Sequence, residues 1–160
     1  MRINSVTLAV SAMAVAALGL VAVAQQKASS ASTATLPMVT VYKTSSCGCC
    51  RLWVDHMKAN GFQVQAMDVS SADVRNVSKM AGLKDEDTSC HTAKVGNYIV
   101  EGHVPADDIK RMLRDKPAIA GIAAPGMPQG SPGMEQGTKE PYNVIAFKKD
   151  GTSTVFASHK

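Results

Sequence analysis

Three of the chain's four cysteines fall within four residues, in Cys47-Gly48-Cys49-Cys50, and the fourth is Cys90. Sulfurs this close together admit several chemistries. Cys47 and Cys50 have the C-x-x-C spacing of a thiol–disulfide oxidoreductase, but Cys49 stands between them and offers competing disulfides. Four thiolates suit a structural zinc site, yet adjacent Cys49 and Cys50 are awkward as two ligands of one tetrahedral ion, and a second C-x₂₋₄-C knuckle is absent. Soft thiolates also suit Cu(I), and bridging sulfurs can hold several such ions close together. The purely structural alternative is two disulfides in an oxidising compartment. A bond within Cys47–Cys50 closes a very short loop, so even that alternative drifts towards a reducible disulfide.

Other soft donors follow in the chain. His91 adjoins Cys90, and His103 sits in Glu101-Gly102-His103-Val104-Pro105. Met127 and Met134 lie in Gly126-Met127-Pro128-Gln129-Gly130-Ser131-Pro132-Gly133-Met134. Imidazole and thioether both suit copper. A Gly/Pro loop has no periodic inward face, so these two methionines are expected as ligands or as a metal-entry flap, not as core. A turn hydrogen bond is the alternative for His103, and a solvated loop position the alternative for His91. Met57, Met67, Met80 and Met112 are expected in the core, with Trp53 packing helix one. His56 and His159 are expected at the surface.

The elements that must position these donors can be read from the spacing of apolar residues. Val39–Tyr42 is a β-branched strand that runs into the cysteine motif. Helix one is expected from about Cys49 to Asn60-Gly61. Its N-terminus offers free N–H groups and the positive end of the helix dipole, which stabilise thiolates. Phe62–Val69 is expected as a second strand, with Phe62, Val64 and Ala66 on one face. Ser70 or Ser71 caps a second helix whose inner stripe is Val74, Val77 and Ala81. Gly96-Asn97 turns a hairpin between Ala93–Val95 and Tyr98–Glu101. Pro105, Asp107 and Asp108 open a third helix, with Ile109, Met112 and Leu113 inward. Pro117–Ala124 is expected as a short helical turn and Pro125–Gly137 as a loop. Asp150-Gly151 turns a terminal hairpin of Asn143–Lys148 and Thr152–Ala157.

The order β-α-β-α-β-β-α-β-β predicts an α/β fold with helices flanking a central mixed sheet, in a thioredoxin-like layout. In that layout the loop holding Cys90 sits against the start of helix one, so all four sulfurs could converge.

Composition agrees with one folded domain. The chain has 160 residues, 45% hydrophobic and 19% charged, which is too apolar for a disordered tail. The formal charge is only +4 and no basic stripe is interleaved with aromatics, so nucleic acid is not an expected partner. Lys148-Lys149 reads as a hairpin tip.

The N-terminus follows the export pattern. Arg2 precedes an apolar run from Val6 to Val21, and Ala22-Val23-Ala24 gives an A-x-A site before Gln25. Residues 1–24 are expected to be a signal peptide, 25–37 a flexible leader and 38–160 the domain. An uncleaved anchor is the alternative. Cleavage implies a periplasmic protein with no membrane contact.

Cys47-Gly48-Cys49-Cys50 with Trp53, Ser89-Cys90-His91-Thr92, Glu101-Gly102-His103-Val104-Pro105 and the Pro125–Met134 loop together resemble the CopG-like family of bacterial periplasmic copper-resistance proteins, formerly a domain of unknown function. The resemblance covers nearly all of Val39–Ala157. It implies a thioredoxin-like fold and copper bound by Cys47, Cys49, Cys50 and Cys90, with less secure roles for His91, His103, Met127 and Met134. It also implies Cu(I), in one or several ions, with other periplasmic copper-resistance proteins as partners. Unlike ordinary thioredoxins, the chain has Thr92 and Ala93 where their proline follows, which argues against simple disulfide exchange.

Overall fold

The computed structural model describes residues 35–160. The signal segment and residues 25–34 of the leader lie outside them. In chain order the elements are β1 (Val39–Lys43), α1 (Gly48–Ala59), β2 (Val64–Asp68), α2 (Ser71–Met80), β3 (His91–Val95), β4 (Tyr98–Gly102), α3 (Ala106–Asp115), β5 (Gly121–Ala124), β6 (Tyr142–Phe147) and β7 (Ser153–His159). The strands form one mixed sheet in the order β2-β1-β3-β4-β5-β6-β7. β1 pairs with β2 and β4 with β5 in parallel; the other pairs are antiparallel. The fold is therefore α/β with a central mixed sheet, as the element order predicts. Among the described residues no helix is long and apolar enough to cross a membrane.

The main core joins Val39 and Val41 of β1, Trp53 and Met57 of α1, Ile109 and Met112 of α3 and inward residues of β3, β4, β5 and β6. Trp53 is fully buried, and its indole N–H donates to the Val104 carbonyl at 2.9 Å. That bond ties α1 to the segment after β4. Ser70 caps α2 by accepting from the Asp73 N–H at 3.2 Å. A smaller cluster of Ala81, Leu83, Ala123 and Phe147 forms a second hydrophobic core.

Several expectations are corrected. Gly121–Ala124 is a strand buried on both faces, not a helical turn. A strand covered on both sides shows no apolar alternation, and this one is only four residues long. Gly121 is required there, because a side chain would run into the Ile99 carbonyl and the Phe147 ring. The second strand is shorter than expected and lies at the sheet edge, where Ala66 and Met67 are exposed. Met80 is 86% exposed, so the helix that carries it does not bury it. Met57 and Met112 are core, as expected. His56 is half-buried, and its Nε2 accepts from the Ala106 N–H at 3.1 Å, satisfying the start of α3. His159 meets Asp108 at 2.7 Å and stacks on Tyr142.

One buried acid lies beside the cysteine loop. Glu101 on β4 accepts from the Ser89 N–H at 2.7 Å and the Thr92 hydroxyl at 2.6 Å. Burial pushes its carboxyl up to about 7, against those hydrogen bonds, which favour the charged form. The folded state therefore holds a proton that the unfolded chain releases near the ordinary value of 4.5. This contribution is full below that value and is lost as pH rises through 7, by about 3 kcal/mol in all. Urea unfolding from pH 4 to 8 should show this decline for the natural chain and lack it in Glu101→Gln. Parallel profiles for the two proteins would refute it.

Candidate metal centre

The strand register sets the site. Lys43, the last residue of β1, pairs with His91, the first of β3. Cys90 therefore lies beside the exit of β1, where the chain turns through Thr44–Ser46 into α1. On the other side of β3, Thr92 pairs with Glu101. Continuing that antiparallel register sets Cys90 opposite His103.

Cys47 is the N-cap of α1, and its sulfur accepts from the Cys50 N–H at 3.3 Å. Cys47 and Cys50 are joined in a disulfide, while Cys49 and Cys90 are free thiols. Cys49 Sγ lies 3.5 Å from Cys47 Sγ and 3.8 Å from Cys90 Sγ. Cys50 Sγ lies 3.5 Å from Cys90 Sγ. The sulfurs of all four cysteines lie within 4.8 Å of one another. Cys50 is fully buried; the other three are half-buried.

Both histidines face the same sulfur. His103 Nε2 is 3.1 Å and His91 Nδ1 3.4 Å from Cys90 Sγ. Cys90, His91 and His103 form a second group with donor atoms mutually within 4.8 Å. The two rings meet edge-on, 5.0 Å between centroids. His103 Nδ1 lies 2.8 Å from the Pro132 carbonyl, which can only accept, so Nδ1 carries the proton and the Nε2 lone pair faces Cys90. His91 Nε2 is buried without a hydrogen-bond partner. The expectation of a solvated His91 is thus corrected: it opens β3, inside the protein.

Burial keeps these donors neutral. The His91 imidazole is pushed down to about 3 by burial, reinforced by the neighbouring His103. Burial also lowers His103, partly countered by Pro132 and Glu135. The Cys90 thiol is pushed up to about 12 by burial and then by Cys49. As a thiol, Cys90 can donate to the His103 lone pair 3.1 Å away. Sulfur and imidazole donors of the kind that suit a soft cation thus lie side by side here.

The structure brings together the four cysteines, His91 and His103. It separates the two methionines. Met127 is 52% exposed, on a shoulder fixed by Gly126, whose N–H donates to Thr88 at 3.0 Å and whose carbonyl accepts from the Ser89 hydroxyl. Met134 is buried, correcting for this residue the expectation that the two loop methionines are not core. Successive turns fold residues 131–134 inward: Ser131 N–H donates to Pro128 at 3.2 Å and Met134 N–H to Ser131 at 2.8 Å. Gly133 then packs on α1 so closely that a Cβ would stand 2.7 Å from the Cys49 carbonyl. Spacing alone did not reveal Pro132, Gly133 or Glu101 as supports. Glu101 alone left a trace, as an acid within an otherwise apolar strand.

A family model described as "Protein of unknown function, DUF411" matches residues 88–134, which hold Cys90, both histidines and the folded loop. No curated protein matches the chain. Two solved structures do. "Copper resistance protein copG- Form 1" is 39% identical, with a TM-score of 0.70 over 77% of this chain and 98% of that one. "Copper resistance protein copG- Form 2" gives the same identity and score over 78% and 98%. With that identity sustained over almost the whole of those chains, this protein belongs to the CopG family of copper resistance proteins.

Proposed function

We propose that this chain is an exported, periplasmic copper-binding protein of copper resistance. It holds Cu(I) on Cys47, Cys49, Cys50 and Cys90 once the disulfide is reduced. The observation that carries this reading is the convergence of four sulfurs within 4.8 Å in a chain of the CopG family. Closely spaced thiolates can bridge ions, so the site suits a small Cu(I)–thiolate cluster as well as one ion. His103 and His91 add nitrogen donors on the Cys90 side. Copper here is cargo, and its reduction and oxidation on the sulfurs is a further part of this proposal.

The chain's own groups prepare for that cargo. The N–H groups and dipole at the start of α1 offset thiolate charge, with Arg51 nearby. Pro132 orients His103, and Glu101 holds the Ser89–Cys90 segment. We read the sheet from β2 to β4 as thioredoxin-like, supported by parallel β1 and β2, antiparallel β3 and β4 and cysteines entering α1. Residues 1–24 are read as a cleaved signal peptide, supported by Ala22-Val23-Ala24. Other copper-resistance proteins of the envelope are the proposed partners.

The disulfide between Cys47 and Cys50 favours a second reading, thiol–disulfide exchange. Two further thiols within 3.8 Å of it would divert a mixed disulfide, which counts against that reading. Zinc on the same sulfurs is the remaining alternative.

Anaerobic titration of the reduced protein with Cu(I), with metal counting, separates these readings. At least one tightly held Cu(I) is expected, with at least about tenfold weaker binding in Cys49→Ser and Cys90→Ser. Failure to hold Cu(I), or unchanged binding in both variants, would sink the copper reading. Catalysed reduction of insulin disulfides by a variant keeping only Cys47 and Cys50 would favour the second, and a zinc complex that excludes Cu(I) the third. Gly133→Ala tests the supporting loop: the forced shift should weaken Cu(I) about 10- to 100-fold through misplaced His103 and Cys49. Wild-type affinity in a folded Gly133→Ala protein would show that the loop does not position the donors.

A further inference from the structure

The disulfide divides the donors into two sets: Cys47 and Cys50, which it joins, and Cys49, Cys90 and the two histidines, which it leaves. Cys47 and Cys50 are bonded to each other, so neither offers a thiolate. Cys49 and Cys90 remain free, 3.8 Å apart at sulfur. Two sulfurs at that separation can both reach one soft ion at roughly 2.3 Å, the length of a typical metal–thiolate bond. His103 Nε2 faces the same Cys90 sulfur at 3.1 Å, with its other nitrogen committed to Pro132. His91 Nδ1 approaches at 3.4 Å. Forming or breaking the Cys47–Cys50 bond removes none of these four groups.

We propose that the oxidised protein keeps a single-ion site for Cu(I), made of Cys49 and Cys90 of the cysteine cluster with His103, while the Cys47–Cys50 disulfide withholds the remaining capacity. This rests on the copper-binding reading and adds to it. Two electrons then set how many ions the protein holds: one with the disulfide closed, more with it open. His91 stands beside the retained site, with its Nδ1 towards the Cys90 sulfur.

The lock opens from one side. Cys50 has no exposed surface, but Cys47 borders a hollow of about 260 Å³ shared with Thr44, Ser71, Arg75, Ser89 and Cys90. A dithiol reductant can therefore attack Cys47. Its thiolate forms a bond to Cys47 Sγ, the Cys47–Cys50 bond breaks, and Cys50 leaves as a thiolate that takes up a proton. The reductant's second thiol attacks the reductant sulfur of the mixed disulfide and releases Cys47; where Cys49, 3.5 Å away, displaces the reductant first, the resulting Cys47–Cys49 disulfide is opened by a dithiol in the same way. Two electrons and two protons pass to the protein, and the dithiol becomes a disulfide.

The test is a Cu(I) titration against a chromophoric Cu(I) chelator under anaerobic conditions. It uses the protein with its disulfide intact and the protein reduced by a dithiol that is then removed. Thiol counting before and after each titration verifies the redox state. We expect one Cu(I) per oxidised chain and at least two per reduced chain. The double variant C47S/C50S should hold one Cu(I) with or without reductant. Oxidised Cys49→Ser, and separately His103→Gln, should lose affinity at least about tenfold, in the range seen when metal-site groups are removed. An oxidised chain that holds no Cu(I) while the reduced chain holds several overturns this inference and leaves the function reading standing. So does a C47S/C50S protein that folds and binds none. A reduced natural chain that binds no Cu(I) overturns both.

Discussion

The starting point of β3 is the constraint on which the site depends. Its pairing with β1 brings Cys90 to the exit of β1, and its pairing with β4 brings the same residue opposite His103. Strand side chains alternate between faces, so a slip of one residue would move each of these side chains to the other face and scatter the donors. The register is held against such a slip by what lies behind it. Val39 and Val41 on β1, and Ala93 and Val95 on β3, are fully buried. Glu101 adds a polar lock, since its carboxyl holds the Ser89 N–H on one side of Cys90 and the Thr92 hydroxyl on the other. The core thus fixes the register, and the register fixes the sulfurs.

The same burial that sets the geometry sets the charge. Desolvation disfavours charged forms, so buried imidazoles become weaker bases and a buried thiol a weaker acid. All three groups around the Cys90 sulfur move in the direction that leaves them neutral. These three groups therefore place no stranded charge in the interior. On the copper-binding reading proposed above, a soft cation would displace the Cys90 proton, and the ion itself would neutralise the resulting thiolate. A hard cation would gain less from sulfur and imidazole, so on that reading the donor types would set selectivity and burial the charge of the waiting donors.

Much of this was legible in the sequence because the relevant signals were local. The Cys47–Cys50 motif, the Gly96-Asn97 turn and the terminal hairpin each lie within a few residues, and each is where the spacing set it. The α/β class followed from their order. What escaped notice depended on contacts between distant segments. β5 is short and covered on both faces, so Gly121-Ile122-Ala123-Ala124 shows no period. Met134 is buried only because the turns around Ser131 and Gly133 fold a Gly/Pro segment back onto α1. His91 looked like a loop residue until the pairing of β3 with β1 placed it inside. Met80 lies off the face of its helix that packs inward, which carries Val74 and Ser78.

The part of the sheet beyond β4 bears on the site through its ends. β5 runs parallel to β4, with Gly102 paired to Ala124, so both strands finish at the same edge. The chain leaving β4 immediately supplies His103. The chain leaving β5 starts next to it and must cross the same region before it can return as β6. That crossing is the 125–141 segment. It is tied down first at Gly126, against Thr88 and Ser89, and then at Pro132 and Gly133, against His103 and Cys49. An antiparallel β5 would have finished at the far edge, and no short loop could then have reached the sulfurs. The parallel pairing of β4 and β5 is therefore what allows a loop without regular structure to fix the tautomer of one donor histidine and to close over the first turn of α1.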